Sequence, residues 1–471
     1  MIKTKENIDK NLIKQFIDIL GKENVLTSQE DRLMYSIDST AVTTDLYLCD
    51  YVLFPSSTAQ ISEIMKLAHK FKIPVTTRGA GTNMAGACVP FEGGIVICTS
   101  KMNKIIEIDK QNQTCTVQCG VIVAQLQQAV EEFNLFYPPD PSNLKVSTIG
   151  GSIGMSSSGP RTFKYGGTKD YVLGLEVVMA DGQILKTGAN VIKDVTGLNL
   201  TQLFTGSEGI LGIVCEVTLR LIPKPQDNRV ALIYFDKIDN ASSAINAIIA
   251  GGITPSVLDI IDQTTMEIIE QFHPAGFLTQ NEAALFIEVD GDKSAIEKQI
   301  SLISAICQDL GSTAQKIAND EIEKQRLWTA RRASFGAICK LRPNVLSEDM
   351  VVPRTKMPDM IKKTYEIGSK YGLNISIVGH AGDGNFHPHI AFDLRDKEET
   401  QRANAAIAEM FECAVAFGGK ISGEHGIGRV KAKYLKSSVD PVAFEYMKKI
   451  KTLFDPNNIL NPGKVFDYEK P

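Results

Sequence analysis

The sequence predicts a protein of two or three domains that mixes α-helices and β-strands, of the α+β or α/β class. Its 471 residues are 43% hydrophobic, and chains longer than roughly 250–300 residues usually form more than one core. Strand and helix patterns alternate as far as about residue 222, which favours a mixed fold. Pro223-Lys224-Pro225 then interrupts the pattern and predicts a domain boundary.

The part before this boundary contains most of the predicted short strands. Apolar stripes predict helices at 7–35, from Ser56 onward, and at 121–134. Strands are predicted at 51–55, 74–77, 94–98, 105–109, 114–119, 173–180 and 210–222.

A second α/β region follows the boundary. Strands at 230–235 and 284–289 are predicted to be linked through helices at 239–250 and 263–272. Further helices are expected at 293–309, 319–342 and 397–417, and a strand at 373–378 leads into a histidine-rich loop. The last helix should end at Gly418-Gly419, because glycine commonly follows helix ends.

Composition excludes several functional classes. The formal net charge is −5 without a long basic run, so we expect no nucleic-acid binding. No apolar stretch is long enough for a transmembrane span, and residues 1–6 have no apolar signal core. Nine scattered cysteines are typical of reduced thiols, so we expect a cytoplasmic protein.

Two segments near the C-terminal end concentrate residues with catalytic chemistry. One runs from Gly379 to His387 and the other from Ser422 to Gly428. Two imidazoles and a carboxylate can hold a divalent cation and leave a coordination position open for substrate. A remaining imidazole can then transfer a proton. His389 is the alternative ligand, because it lies two residues beyond His387.

Glycine-rich segments in the first half predict a phosphate-bearing ligand. Arg78–Gly86 follows a predicted strand, and its backbone amides could bind a pyrophosphate, although a tight surface turn explains it equally well in isolation. Further small-residue runs at Thr148–Gly154 and Thr205–Gly212 favour the ligand. Several such loops suit a long cofactor that extends across a domain.

With these motifs in order, the chain resembles the flavin-dependent 2-hydroxyacid dehydrogenases, from about residue 40 to the end. The motifs that carry the resemblance are Arg78–Gly86, Pro138–Ser142, Tyr165-Gly166, Gly206–Gly209, Trp328–Arg331, Gly379–His387, Gly423–Gly428 and Asn461–Gly463.

The resemblance implies an α+β fold with three parts. A two-subdomain, vanillyl-alcohol-oxidase-like FAD-binding domain is expected at 1–225. An α/β cap domain with the substrate face is expected at 226–420. A C-terminal helical segment, 421–471, is expected to return to the flavin.

It also implies the site residues. The FAD-binding positions would be Arg78, Gly79, Ala80, Gly81, Thr82, Asn83, Gly86, Pro141, Ser142, Gly150, Gly151, Gly206, Ser207, Glu208, Gly209 and Asn461. His380, His387 and Glu424 match the family's divalent-metal ligands, for zinc or manganese. His425 matches its proposed base, and Arg331 matches the arginine that holds the substrate carboxylate. Arg332 is the alternative, since neighbouring helix positions point about 100° apart.

Two departures from the family pattern, and the absence of a histidine near Thr82, narrow the expectation. Ser152 and Ser156–Ser158 stand where the family usually has asparagines and paired glycines, which alters contacts without excluding FAD. Glu348-Asp349 lies where hydroxyglutarate enzymes hold a second carboxylate, so like charge disfavours a dicarboxylate. No histidine lies near Thr82, so FAD should be non-covalent.

The leading hypothesis is FAD-dependent oxidation of a small D-2-hydroxy acid, D-lactate first and glycolate second. The alternative is a catalytic flavoprotein subunit of a multi-subunit electron-transfer complex. The electron acceptor would be a quinone, an iron–sulfur partner or an electron-transfer flavoprotein, and a homodimer is one of the assemblies we allow for.

Overall fold

The computed structural model describes residues 2–4, 11–40 and 45–466. The chain forms two compact units that each combine separate stretches of sequence. Unit 1 comprises residues 1–157, 167–224 and 424–471, and unit 2 comprises 158–166 and 225–423. The C-terminal stretch therefore belongs to the same unit as the N-terminal half.

Unit 1 contains two larger sheets and two short strand pairs. The four-stranded sheet has parallel central pairs and an antiparallel edge, in the order Val25–Leu26, Tyr51–Leu53, Ile95–Cys98, Val75–Arg78. The five-stranded sheet is antiparallel, in the order Ile184–Gly188, Val172–Val178, Ile213–Arg220, Thr114–Gln118, Ile105–Asp109. The short pairs are Ile2–Thr4 with Leu46–Leu48, and Leu135–Phe136 with Ile222–Pro223.

The longer helices of unit 1, such as Thr58–Phe71 and Val123–Glu131, bury apolar side chains along one face. Ser57 caps the helix that follows by accepting a hydrogen bond from the Gln60 amide. The α-helices are Leu12–Leu20, Gln29–Leu33, Thr58–Phe71, Val123–Glu131, Ile149–Met155, Leu200–Phe204, Ala432–Ser438 and Pro441–Phe454. Short 3₁₀ turns lie at Lys22–Asn24, Thr99–Lys101 and Thr168–Asp170.

The predicted helix at 7–35 is wrong as a single element. It ends at Leu20, because Gly21 follows with φ +83°, outside the helical region. The chain then forms a 3₁₀ turn, a short strand and a second helix that begins after Ser28. The predicted first residues, 7–10, lie outside the described residues.

Unit 2 is built around one eight-stranded sheet whose strand pairs are antiparallel. Its path is Ser312–Ile317, Asp227–Phe235, Ala283–Gly291, Val257–Asp262, Ile375–His380, Asn385–Phe392, Asn344–Ser347, and Met350–Val351 also pairs with Asn385–Phe392. The strand Val257–Asp262 was missed by the sequence analysis, which placed only helices between 239 and 272. All six of its residues are buried, so it shows no alternation of polar and apolar side chains.

Helices with acidic N-caps pack on this sheet. Asp262 accepts from the Thr265 amide and Asp292 from the Ser294 amide, which fixes the starts of two helices at their predicted positions. The α-helices are Thr162–Tyr165, Ile238–Ala250, Gln263–Phe272, Lys293–Asp309, Glu321–Ile338, Met357–Tyr371 and Lys397–Ala416, with a 3₁₀ turn at Arg354–Lys356.

Two further observations concern the chain as a whole. Among residues 2–4, 11–40 and 45–466, no helix combines the length and apolar composition needed to cross a bilayer. All nine cysteines carry free thiols, and only Cys339 is exposed.

Candidate active site

A pair of buried histidines lies on a β-hairpin in unit 2. His380 ends the strand Ile375–His380, and His387 lies within the returning strand Asn385–Phe392. His387 pairs with Val378, so it shares a sheet face with His380, two residues further along. The ring centroids are 5.3 Å apart. The two side chains therefore lie together on paired strands, whereas the sequence analysis placed both in one loop.

Asp259 joins His380 to Arg331. The strand register puts Ile260 opposite Gly379, so Asp259 lies beside His380. Its Oδ1 is 2.8 Å from His380 Nδ1, and its Oδ2 accepts from Arg331 Nε at 2.8 Å. Arg331 Nη2 lies 2.6 Å from the same oxygen. Burial favours a raised pKa for this carboxyl, but the Arg331 and His380 side chains outweigh it and leave the pKa below its ordinary value.

Helix Glu321–Ile338 separates the two arginines that competed in the sequence analysis. Arg331 is buried against Asp259. Arg332 is exposed, with its guanidinium 4.6 Å from the Trp328 ring centroid. Arg331 therefore adjoins the histidine pair through Asp259.

Asp349 binds Ser422 and Gly423, the first two residues of the second histidine-bearing segment. These two residues belong to unit 2. The Asp349 carboxylate accepts from Asn385 Nδ2 at 2.8 Å, from Ser422 Oγ at 2.6 Å and from the Gly423 amide at 3.0 Å. Asn385 pairs with His380 in the hairpin. The residue that directly precedes Glu424 is thus anchored near the strand end that carries His380.

His389 shares the strand and face of His387. Their ring centroids are 6.5 Å apart and the rings are stacked. The His389 ring also lies 5.9 Å from the Phe335 ring, centroid to centroid. The shared face that made His389 an alternative ligand is therefore present. His387 is held in place by its Nδ1, which lies 3.3 Å from the Glu348 carbonyl oxygen.

In unit 1, two polar side chains hold the loop of residues 425–428, which we call the His425 loop. Asn83 Nδ2 donates to the His425 carbonyl at 3.1 Å, and its Oδ1 accepts from the Ala85 and Ala87 amides. Glu208 accepts from the Ile427 amide at 2.7 Å and from the Gly428 amide at 2.6 Å. Asn83 and Glu208, both predicted FAD residues, thus use their side chains to fix the backbone after the predicted base.

Glycine at 428 is required by this arrangement. Its φ is +50°, and an added Cβ would lie 2.1 Å from the Ala85 carbonyl oxygen. Glu208 is itself at φ +52° and buried. Burial raises the pKa of its carboxyl, while the two backbone amides and nearby Lys431 and Lys464 oppose that shift.

The predicted phosphate loop is braced from inside the unit. Arg78 is buried, donates Nη1 to the Ile37 carbonyl at 2.6 Å, and lies 5.5 Å from the Tyr35 ring centroid. Asn461 Nδ2 donates to the Glu208 carbonyl at 2.7 Å, and its Oδ1 accepts from the Thr77 amide at 3.3 Å. Asn461 therefore links the loop at 206–209 to the strand Val75–Arg78, which leads into the predicted phosphate loop.

Unit 1 also contains buried polar atoms that fit a bound cofactor. Within the described residues, Thr77 Oγ1, Asn143 Oδ1, Ser147 Oγ and Ser152 Oγ lack a hydrogen-bond partner. Each such atom costs about 1–3 kcal/mol unless something satisfies it. Three of them are at or next to predicted FAD positions, adjoining Arg78, Ser142 and Gly151. A polar cofactor such as FAD would satisfy them.

The remaining predicted FAD residues all belong to unit 1. They are Gly79, Ala80, Gly81, Thr82, Gly86, Pro141, Ser142, Gly150, Gly151, Gly206, Ser207 and Gly209. Several of them pack closely against the protein itself. For example, a Cβ at Gly79 would lie 2.3 Å from Thr148 Oγ1, and one at Gly150 would lie 2.6 Å from Cys119 Cβ.

Comparison with known proteins assigns both halves of the chain. The family model described as "FAD binding domain" matches residues 49–188, and that described as "FAD linked oxidases, C-terminal domain" matches 224–465. The glycolate oxidase subunit GlcD of Bacillus subtilis (strain 168) is 44% identical, over 98% of this chain and 97% of its own. The probable mitochondrial D-lactate dehydrogenase of Danio rerio is 32% identical, over 97% and 92%.

This chain belongs to the FAD-linked D-2-hydroxyacid dehydrogenase family. It is accordingly an FAD-dependent oxidoreductase of the class that oxidises hydroxy acids. The structure of p-cresol methylhydroxylase with substrate bound matches at 19% identity with a TM-score of 0.80, over 98% of this chain and 99% of that one. The predicted α+β fold of the vanillyl-alcohol-oxidase type is confirmed.

Sequence reasoning missed several buried residues that contact the predicted site residues or their neighbours. Asp259 lies in an unpredicted strand, and Asp349 was considered only as a charge that would repel a second carboxylate. Asn385 lies in the histidine-rich motif but received no role. The one available signal for Asp259 was an acid within the apolar run 257–261, because a buried acid needs a partner.

Proposed function

We propose that this protein oxidises a small 2-hydroxy monocarboxylate to the 2-oxo acid, with glycolate first and D-lactate second. One observation carries this proposal: the buried carboxylate of Asp259 contacts both His380 and Arg331, and His387 lies beside His380. The chain that has this arrangement belongs to a family of hydroxyacid dehydrogenases. The preference for glycolate reverses the order of the sequence analysis, because the relative with 44% identity is named a glycolate oxidase subunit.

FAD would be bound non-covalently by the predicted residues of unit 1, with residues 1–225 and 421–471 as the FAD-binding part. Residues 226–420 would bind the substrate. The connected loops and the unsatisfied Thr77, Asn143 and Ser152 atoms support this division. When bound, FAD would supply the acceptor for a hydride, that is two electrons and one proton, from the substrate carbon.

His380, His387 and Glu424 would hold a divalent metal, zinc or manganese, that lowers the pKa of the substrate hydroxyl. Imidazole nitrogen and carboxylate oxygen are ligands that zinc accepts. The 5.3 Å separation of the histidine rings supports two of these ligands. The anchoring of Gly423 at Asp349 supports the third, because Glu424 is the next residue.

His425 would take the proton of the substrate hydroxyl, and Arg331 would bind the carboxylate. A guanidinium presents donors in a fixed plane that suits two-point contact with a carboxylate. The contacts of Arg331 with Asp259 use Nε and Nη2, so the Nη1 edge remains for substrate. Asp349 is a buried acid that is hydrogen-bonded to Asn385, the strand partner of His380. Its negative charge disfavours binding of a second substrate carboxylate there.

A second candidate is a catalytic flavoprotein subunit of a multi-subunit electron-transfer complex. It is favoured by the name of the Bacillus subtilis relative, which is a subunit. Electrons would then pass from FAD to a quinone or to a protein partner. A cytoplasmic location and a homodimer remain part of the proposal.

Anaerobic titration of the purified protein tests the substrate. Glycolate and D-lactate should bleach the oxidised flavin absorbance, whereas L-lactate and 2-hydroxyglutarate should do so far less. Removing metal with a chelator should slow the reaction, and His425→Ala should slow it while leaving the spectrum of bound FAD normal.

Each outcome has a defined meaning. A colourless protein, or flavin that no hydroxy acid reduces, would overturn the proposed function. Unchanged rates after chelation would remove the metal from it, and full activity of His425→Ala would remove His425 as the base. If the substrate reduces the flavin quickly but artificial electron acceptors do not reoxidise it, the result would favour the second candidate, a subunit of an electron-transfer complex.

A further inference from the structure

Asp259 is buried in the central strand of unit 2 and contacts two residues of the proposed site. Each of its oxygens faces a different donor group: Oδ1 lies 2.8 Å from His380 Nδ1, and Oδ2 lies 2.8 Å and 2.6 Å from Arg331 Nε and Nη2. Its carboxylate is fully inaccessible to solvent. The strand register places His380 beside it, and helix Glu321–Ile338 supplies Arg331.

The chemistry of these partners determines which nitrogen of His380 carries hydrogen. An ionised carboxylate only accepts hydrogen bonds, so His380 Nδ1 must be the donor. In the neutral ring, Nε2 then has the lone pair that a metal requires. Arg331 is a donor only, and both of its contacts are to the other oxygen, Oδ2.

We propose that Asp259 is a positioning residue that holds His380 in the tautomer with Nε2 available to the metal, and that orients Arg331 through the same carboxylate. Histidine ligands commonly donate their other nitrogen to a carboxylate or carbonyl, which fixes the ring and its tautomer. This inference rests on the metal site of the proposed function. It adds a residue that touches neither substrate nor metal.

Asp259→Asn tests the inference with almost no change in shape. The amide has one acceptor oxygen and one NH₂ group, and Arg331 requires the oxygen. The NH₂ group then faces His380 Nδ1, which must accept, so hydrogen moves to Nε2 and the ligand is lost. We expect zinc affinity to fall on the order of 10- to 100-fold, while the FAD content stays that of the wild type.

The matched control is Asp262→Asn. Asp262 lies on the same strand and is equally buried, but its carboxylate accepts from the Thr265 amide and the Tyr365 hydroxyl, each at 2.8 Å. Zinc affinity, measured by competition with a chromophoric chelator, should not change in this variant. Asp259→Glu, which retains a carboxylate, should bind zinc more tightly than Asp259→Asn.

The arms separate failure of this inference from failure of the proposed function. If wild type binds zinc, His380→Ala does not, and Asp259→Asn binds as well as wild type, the positioning role is overturned and the metal site stands. If wild type binds no zinc, or His380→Ala binds normally, the metal site itself is wrong and the inference falls with it.

A second measurement does not depend on how Asp259→Asn folds. Histidine nitrogen NMR of the metal-free wild-type holoprotein, assigned with His380→Ala, reports the tautomer of His380 directly. Hydrogen on Nδ1 supports the role of Asp259. Hydrogen on Nε2 in the wild type overturns it.

Discussion

At the scale of single residues, the structure assigns polar side chains to internal contacts that their motifs do not reveal. Asn83, Glu208 and Asn461 match cofactor-binding motifs, and their side chains bind backbone groups of neighbouring loops. The sequence motifs singled out these residues. They could not indicate side-chain partners, because those partners are up to several hundred residues away in the chain.

Lys464 is a buried lysine whose ammonium group is destabilised by burial, and it provides a prediction at this scale. Its ammonium is buried near Thr76 Oγ1 and Asn461 Oδ1, and burial lowers its pKa from 10.5 to about 8. Between these values the unfolded chain binds more protons than the folded one, so the stability due to this group rises with pH. Relative to Lys464→Met, wild type should gain up to about 3 kcal/mol between pH 7 and pH 10.5.

Urea unfolding of both holoproteins across this pH range measures the difference. Lys110→Met removes an exposed lysine and serves as the control, for which the difference should stay constant. A constant difference for Lys464→Met would show that Lys464 does not titrate as its burial requires.

At the scale of elements, prediction succeeded where local signals are strong. The helices Gln263–Phe272 and Lys293–Asp309 have their predicted bounds, because an aspartate caps each start and an apolar stripe follows. It failed where local and tertiary signals conflict. The segment Asn385–Phe392 forms a buried strand despite Pro388 and the glycines before it, because it pairs with Ile375–His380.

The sheet of unit 2 illustrates the same limit. Alternation of strands and helices does not by itself determine strand direction, and the strands of this sheet pair antiparallel. Strand direction depends on which strands become neighbours. Val257–Asp262, which lies between Ala283–Gly291 and Ile375–His380 in the sheet, was absent from the prediction.

The His425 loop provides the element-scale prediction. Glu208→Gln keeps the shape but replaces one acceptor oxygen with an NH₂ group that faces a backbone amide donor. The loop should shift, and flavin reduction should slow by about ten- to hundredfold, because small misplacements of a catalytic group cost this much. Stopped-flow reduction by glycolate measures the change.

Glu131→Gln is the control, because Glu131 forms only a surface ion pair with Lys224 and should have no effect on the rate. Normal FAD content in Glu208→Gln is part of the expectation. Loss of FAD in this variant would instead make Glu208 a cofactor-retaining residue, and an unchanged rate would refute its role in the loop.

At the scale of the whole molecule, the chain combines stretches that are distant in sequence into each unit. Unit 1 takes the N-terminal half and the C-terminal segment, and unit 2 takes the middle of the chain and residues 158–166. The motifs identified the family because their order extends along nearly the whole chain. No sequence signal assigned the short excursion at 158–166 to unit 2, where Arg161 and Lys164 form ion pairs with the buried residues Glu288 and Asp290.

The central claim is that the substrate's C2–H bond breaks as bound FAD is reduced. The most direct measurement is anaerobic stopped-flow reduction of the wild-type holoenzyme by glycolate and D-lactate, each compared with its C2-deuterated form. We predict that both acids reduce the flavin and that deuterium slows the reduction. Flavin that stays oxidised, or reduction at one rate for both isotopic forms, would contradict the account.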